Sequence, residues 1–306
     1  MITKYKSGNV TWLDLESPTK DELTKIGKEY ALHSVVLEDL VSQTLRQKAD
    51  LYNDYMYAVF HFPTLSKSEV LHNAMDEEID FIIGKNLIIT THYRTIDALY
   101  RVIKIFETSG TLHNGNSDLH AGHVFLKIMR EMYFSLEAQI EHIGDHLRKV
   151  ESGIFENEEK KMVSEISKIN RIMINFRRSL SHHENMLSSF QSISKVLWEE
   201  SFGNQVLSIT NAYHKTRAAM EDYKEILNDL RNTNDSLLSS KINSTMKSLS
   251  MMALITFPLA LIVALFSMPT ASNPIHNHPQ QFWIVITIMV IALIAMIGYF
   301  KEQRWI

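Results

Sequence analysis

The chain has 306 residues, a formal net charge of −4 from 31 basic and 35 acidic residues, and no cysteine. So mild a balance points to no nucleic acid and no other strongly charged partner, and the missing cysteines exclude disulfides, thiolate metal sites and cysteine nucleophiles. The length suits one large domain or two modest ones.

Taken in chain order, the first ~100 residues mix strand and helix signals. Val10–Leu15 alternates as a strand does, and Ser17-Pro18-Thr19 opens a helix running to about Ala31. Asp54–Phe62 and Ile79–His92 are rich in β-branched and aromatic residues, the second broken by a hairpin turn at Gly84-Lys85-Asn86. Thr108–Asp118 reads as the one clear loop, which places the end of an α/β subdomain at residues 1–115. The opening MITKYKSGNVTW has no apolar run of the signal-peptide kind.

From Leu119 to Phe257 there is no proline, and the pattern is helical throughout. His120–Ile154 and Glu158–Ile193 read as two long amphipathic helices joined by an acidic turn. Then Val206, Ile209, Tyr213, Thr216, Met220, Tyr223, Leu227, Leu230, Asn234 and Leu237 step by threes and fours, a heptad seam. The seam continues without a breaker through Ile242, Met246 and Leu249 into an apolar run, so residues 116–248 form a helical and stalk region. A helix from Val206 to Met268 would be on the order of 90 Å long. Its seam must pack on its own subdomain or on copies of itself.

Residues 249–306 read as a membrane domain. Leu249–Met268 and Phe282–Phe300 are each about 20 residues, apolar and free of charge, enough to cross a hydrocarbon core. Lys241, Lys247, Lys301 and Arg304 flank them, whereas the connecting loop Thr270–Gln281 has no Lys or Arg. The positive-inside rule puts both termini in the cytoplasm. Trp283 and Trp305 sit at opposite ends of the second span, where the interface favours amphipathic rings.

Here the chain resembles the CorA family of divalent-cation channels. Trp12–Leu23, Leu32–Leu40 and Lys85–Thr90 are similar to that family's cytoplasmic domain. Asn243–Phe266, including Met246-Lys247 and Phe257-Pro258-Leu259, is similar to its pore helix, and Tyr299–Ile306 to its basic tail. The resemblance implies an α+β membrane protein with a cytoplasmic α/β domain and a long stalk helix continuous with the first of two C-terminal spans. It also implies a funnel-shaped homopentamer in the cytoplasmic (inner) membrane, with an axial pore lined by the first span. Asn243 would meet the ion at the cytoplasmic end. Met246, Leu249, Ala253 and Phe257, which share one helical stripe, would form a hydrophobic constriction that gates by dewetting. From periodicity alone, the same stripe fits ordinary helix packing equally well.

The chain departs from the family pattern at three places. Ser267-Met268-Pro269 stands where the family carries Gly-Met-Asn. Mg2+ dehydrates reluctantly, and a ring of amide carbonyls suits its hydrated octahedron. Proline offers neither a side-chain acceptor nor an N–H. Asn273 is a candidate substitute. The external loop lacks carboxylates and offers His276 and His278, which fit softer ions such as Zn2+ or Ni2+ or are simply solvated. In Asn211–Thr216, a segment similar to one in which the family carries a regulatory metal-binding acid, the best match to that acid is Thr210.

Other chemistry is weak. His142 and His146, at i and i+4, share a helix face that either chelates a metal or is solvated. His182-His183-Glu184 reads the same way. Glu156, Glu158 and Glu159 sit at a helix start. No phosphate loop, dinucleotide fingerprint or Ser/His/Asp arrangement is evident, so no enzyme and no resident cofactor is expected. The expected activity is transport of divalent cations, Mg2+ first. The rivals are a relative handling Zn2+, Co2+ or Ni2+ and a non-conducting structural or sensory pentamer.

Overall fold

The computed structural model describes residues 1–44, 46–65, 74–112, 119–199, 202–268 and 279–303. They divide into two compact units, Met1–Asn232 and Thr233–Ile306.

The first unit is built on a six-stranded sheet: β1 (Ile2–Ser7), β2 (Val10–Glu16), β3 (Lys48–Leu51), β4 (Tyr55–Leu65), β5 (Ala74–Gly84) and β6 (Leu87–His92), in the spatial order β1-β2-β6-β5-β4-β3. Only β2 and β6 pair in parallel, with Trp12 opposite Ile88. The hairpin expected at Gly84–Asn86 is present, and Ile83 faces Ile88 across it. β1 is an edge strand that the sequence reading passed over. Its residues alternate exposed and half-buried, with Lys4 and Lys6 on the exposed side and Thr3, Tyr5 and Ser7 on the half-covered one. Lysines on an edge discourage pairing with other chains, while the polar Thr3 and Ser7 on the covered side and Ile2 on the exposed side hide the strand's alternation. Gly8 takes φ +55° in the turn that returns β1 to β2, a conformation that costs glycine nothing.

One face of the sheet is covered by α1 (Lys20–Glu29) and α2 (Ser34–Asp39), where Leu23, Ile26, Val36 and Leu40 pack on Leu13, Leu15, Tyr57, Val59, Ile82 and Ile89. α1 starts where Thr19 predicts it: Thr19 N–H donates to Glu22 at 2.8 Å and Glu22 N–H donates to Thr19 Oγ1 at 3.3 Å. This reciprocal cap satisfies two otherwise orphaned donors. The other face carries an aromatic layer. Phe60, Phe62 and Phe81 meet Phe125 and Tyr133 of α4 (Ala121–Phe155) and His183 of α6 (His183–Leu197), mostly edge to face. Each fully buried ring contributes about 1.5–3 kcal/mol by removal from water.

Two expectations about the helices need correction. The loop read at Thr108–Asp118 begins later, because α3 (Asp97–Leu112) runs through its first residues. Leu99, Val102, Ile103 and Phe106 are buried at helical spacing, and Thr108 Oγ1 donates back to Lys104 O. The helix read from Glu158 to Ile193 is two helices, α5 (Glu159–Leu180) and α6. Neither Gly nor Pro marks the break. Hydroxyls make it: Ser179 Oγ bonds Asn175 O and Asp76, and Ser181 Oγ bonds Arg178 O, competing with the helical ladder.

The last two elements are α7 (Phe202–Ser267), a single helix of 66 residues as the unbroken seam implies, and α8 (Gln281–Glu302). Within the first unit the seam is buried at Val206, Ile209, Tyr213, Thr216, Met220, Leu227 and Leu230. Lys215 reaches Glu137 at 2.9 Å and Arg217 reaches Glu184 at 3.1 Å, flanking it with exposed ion pairs.

Candidate functional site

α7 and α8 each contain a segment long and apolar enough to cross a membrane, and none of it is buried inside the structure. In such a setting every polar group needs an internal partner. Thr256 Oγ1 donates to Met252 O at 2.8 Å, and Thr287 Oγ1 donates to Trp283 O at 2.8 Å. Toward the charged end of α7, Thr245 and Ser248 bond back to Lys241 O and Ser244 O in the same way. Pro258 lies inside α7 without ending it, and removes the donor that Leu254 O would otherwise receive.

The second unit gives α7 two unlike faces. Met251, Ile255, Leu259, Ile262 and Phe266 are half-buried, at spacings of three and four that line one side. α8, the only other described element of that unit, has a matching side in Val285, Met289, Ala292, Met296 and the buried Phe300. About 180° around α7, Asn243 is exposed, and Met246, Leu249 and Phe257 are 56%, 55% and 73% exposed. Ala253 lies on the same stripe and is half-buried. The five expected residues thus lie along one side of α7 as one column, as their spacing dictates, but exposure does not single that side out, since Met252, Leu254 and Leu265 off it are 64%, 48% and 55% exposed. In a single chain such a column encloses nothing.

Ser267, the last residue of α7, and Met268 after it are exposed, and Met268 N–H turns back to Leu265 O at 3.4 Å as the helix tightens to its end. Pro269, Asn273, His276 and His278 lie outside the described residues.

Elsewhere the expected weak sites resolve differently. His183 is not on a solvated face: it is fully buried, bonded to Tyr133 Oη at 2.9 Å and His61 O at 3.0 Å, while Glu184 pairs with Arg217. It is a core histidine. Glu156 closes α4, Glu158 precedes α5 without capping it through its side chain, and Glu159 is buried in the first turn. Thr210 Oγ1 donates to Val206 O, so this side chain serves its own helix. Asn234, one of the seam positions, is 1% exposed, and neither polar atom of its amide has a protein partner. A polar residue in an apolar seam was the available signal, and such residues set register in helix assemblies.

The model of the family described as CorA-like Mg2+ transporter protein matches residues 7–302. The cobalt/magnesium transport protein CorA of Thermotoga maritima is 23% identical over 302 residues, 98% of this chain and 84% of that protein. The complete structure of the CorA magnesium transporter from Methanocaldococcus jannaschii superposes with a TM-score of 0.84 at 19% identity, covering 99% of this chain and 94% of that one. The full-length CmaX protein gives a TM-score of 0.71 at 14% identity, over 97% and 89%. A soluble α/β unit, one long helix and two apolar C-terminal helices are thus shared along essentially the whole length. The chain belongs to the family of CorA-like Mg2+ transporter proteins.

Proposed function

We propose that this protein carries divalent cations, Mg2+ foremost, across the cytoplasmic membrane as a homopentamer and catalyses no reaction. In this reading residues 1–115 and 116–248 lie in the cytoplasm with both termini, and residues 249–306 form the membrane domain. Copies of α7 surround an axial pore, Asn243 meets the ion at the inner end, and Met246, Leu249, Ala253 and Phe257 form the constriction. The observation that carries it is the match of residues 7–302 to the CorA-like Mg2+ transporter family, together with two helices that each hold a segment long and apolar enough to cross a membrane. An apolar ring one residue deep closes a pore by dewetting and opens with a small change of radius. Membrane potential supplies the driving force, about 2.3 kcal/mol per charge per 100 mV.

Ser267-Met268-Pro269 favours two second readings: a transition-metal carrier for Zn2+, Co2+ or Ni2+, or a pentamer that no longer conducts. Metal uptake into proteoliposomes holding the purified protein separates all three. Saturable Mg2+ entry that follows an imposed potential supports the first reading. Entry of the softer ions alone supports the second, and no flux from an intact pentamer supports the third.

A further inference from the structure

α4 and α5 pack against each other, and between them lies a cleft of about 680 Å³. His142 and His146 of α4 both line it, as does Glu165 of α5. The two imidazoles sit one helical turn apart with ring centroids separated by 4.8 Å and planes at 85°. Two histidines at i and i+4 on one helix are the spacing that metalloproteases use to hold Zn2+, with a carboxylate from another helix as third ligand.

We propose that His142 and His146 form a two-imidazole site for a borderline transition-metal dication, of the Zn2+ or Ni2+ class, with Glu165 as the carboxylate facing it across the cleft. Among the described residues no three such side chains already stand together as a complete ligand set. The pair is therefore the minimal chelate, and water or Glu165 completes it when the metal binds. His142 is exposed and His146 half-buried, so both rings are free to turn about their terminal torsions. Four carboxylates, Asp145, Glu156, Glu158 and Glu165, and three cations, Arg148, Lys149 and Lys161, line the cleft. Asp145 and Glu158 are paired with Arg148 and Lys161, and Glu165 with Lys168 at 2.8 Å, so a bound metal draws Glu165 away from Lys168. Imidazole selects this class of ion over Mg2+, which prefers oxygen. The site shares no residue with the α7 column and stands whether or not the pore conducts.

The test is calorimetric titration of the full chain in detergent with ZnCl2 and with NiCl2, in millimolar Mg2+ to occupy oxygen-rich sites. His142→Ala and His146→Ala are compared with wild type and with the double change His276→Ala/His278→Ala. The expected result is one saturable ion per chain, weakened in each of the first two variants by more than the 10–100-fold that even outer-shell changes cost, and unchanged in the loop variant. A metal-dependent rise in melting temperature follows the same order. Coincident metal-free melting curves show that the variants are folded. Wild-type affinity in both helix variants, loss confined to the loop variant, or no saturable binding overturns the proposal.

Discussion

Tyr133 Oη lies 2.9 Å from His183 Nδ1, while His183 Nε2 lies 3.0 Å from the carbonyl oxygen of His61. A carbonyl only accepts, so Nε2 carries the proton and Nδ1 accepts from the tyrosine: the ring is neutral, in one tautomer. Burial pushes its pKa from 6.5 down to about 3. The folded value lies below the unfolded one, so the unfolded chain binds the extra proton first. Stability from this group is complete above about pH 6.5 and falls as pH drops toward about 3, by up to about 1.4 kcal/mol per unit. Urea titrations between pH 7 and pH 4 should show this loss in the wild type, and His183→Gln should lack that component of the slope.

His92 works in the opposite direction. Its Nε2 faces Asp14 Oδ2 at 3.3 Å and its Nδ1 faces Arg94 O at 2.6 Å, two acceptors that favour the doubly protonated ring. Burial alone would lower its pKa, but the hydrogen bond to Asp14 and that carboxylate's charge outweigh burial and raise it. Stability from this pair is complete below the unfolded value of 6.5 and is lost as pH rises through the higher folded value. Asp14→Asn should flatten that loss on the alkaline side. An unchanged slope in the variant would show that Asp14 does not hold the proton on His92.

The aromatic layer sets the scale of core substitutions. Phe60 is fully buried and meets Phe62, Phe81, Phe125 and His183. Phe60→Ala should cost about 3–5 kcal/mol, a large part of a typical domain's stability of about 5–15 kcal/mol. Chemical denaturation of the purified protein measures it.

The two faces of α7 should respond differently. Phe257→Ala, on the exposed column, is expected to raise Mg2+ uptake several-fold by thinning the apolar constriction, with little change in melting temperature. Ile255→Ala, on the half-buried face, is expected to lower the melting temperature and leave uptake per folded protein unchanged. Equal effects on uptake would remove the distinction between pore and packing faces.

At the outer end, Pro269→Asn combined with Ser267→Gly is expected to raise Mg2+ uptake by restoring an amide acceptor and backbone freedom. Uptake indistinguishable from wild type would show that this turn is not the filter.

The strongest sequence signals were those with length behind them. An uninterrupted heptad seam running into a charge-free stretch left one helix as the simple solution, and α7 is one helix. β2 and the β5–β6 hairpin were legible because alternation and a turn coincide there. β1 was not, since two of its three half-covered positions are Thr3 and Ser7 and Ile2 faces out, nor was the break between α5 and α6, which is made by serine hydroxyls rather than by Gly or Pro. His183 looked like a surface residue because its neighbours His182 and Glu184 are polar. Only the fold shows that it plugs an aromatic layer contributed by β4 and α4. The column from Asn243 to Phe257 was legible as spacing, but spacing is the same for a pore face and a packing face. The difference lies in what covers it.

The order of the sheet has a consequence for synthesis. All six strands lie between Ile2 and His92, and the parallel pairing of β2 with β6 joins the two hairpin halves as soon as His92 is available. Domains fold as units during translation, N-terminal parts first. The sheet and its aromatic layer are thus formed before the apolar segment starting at Leu249 leaves the ribosome. When that segment emerges, the membrane receives it from a body that is already folded.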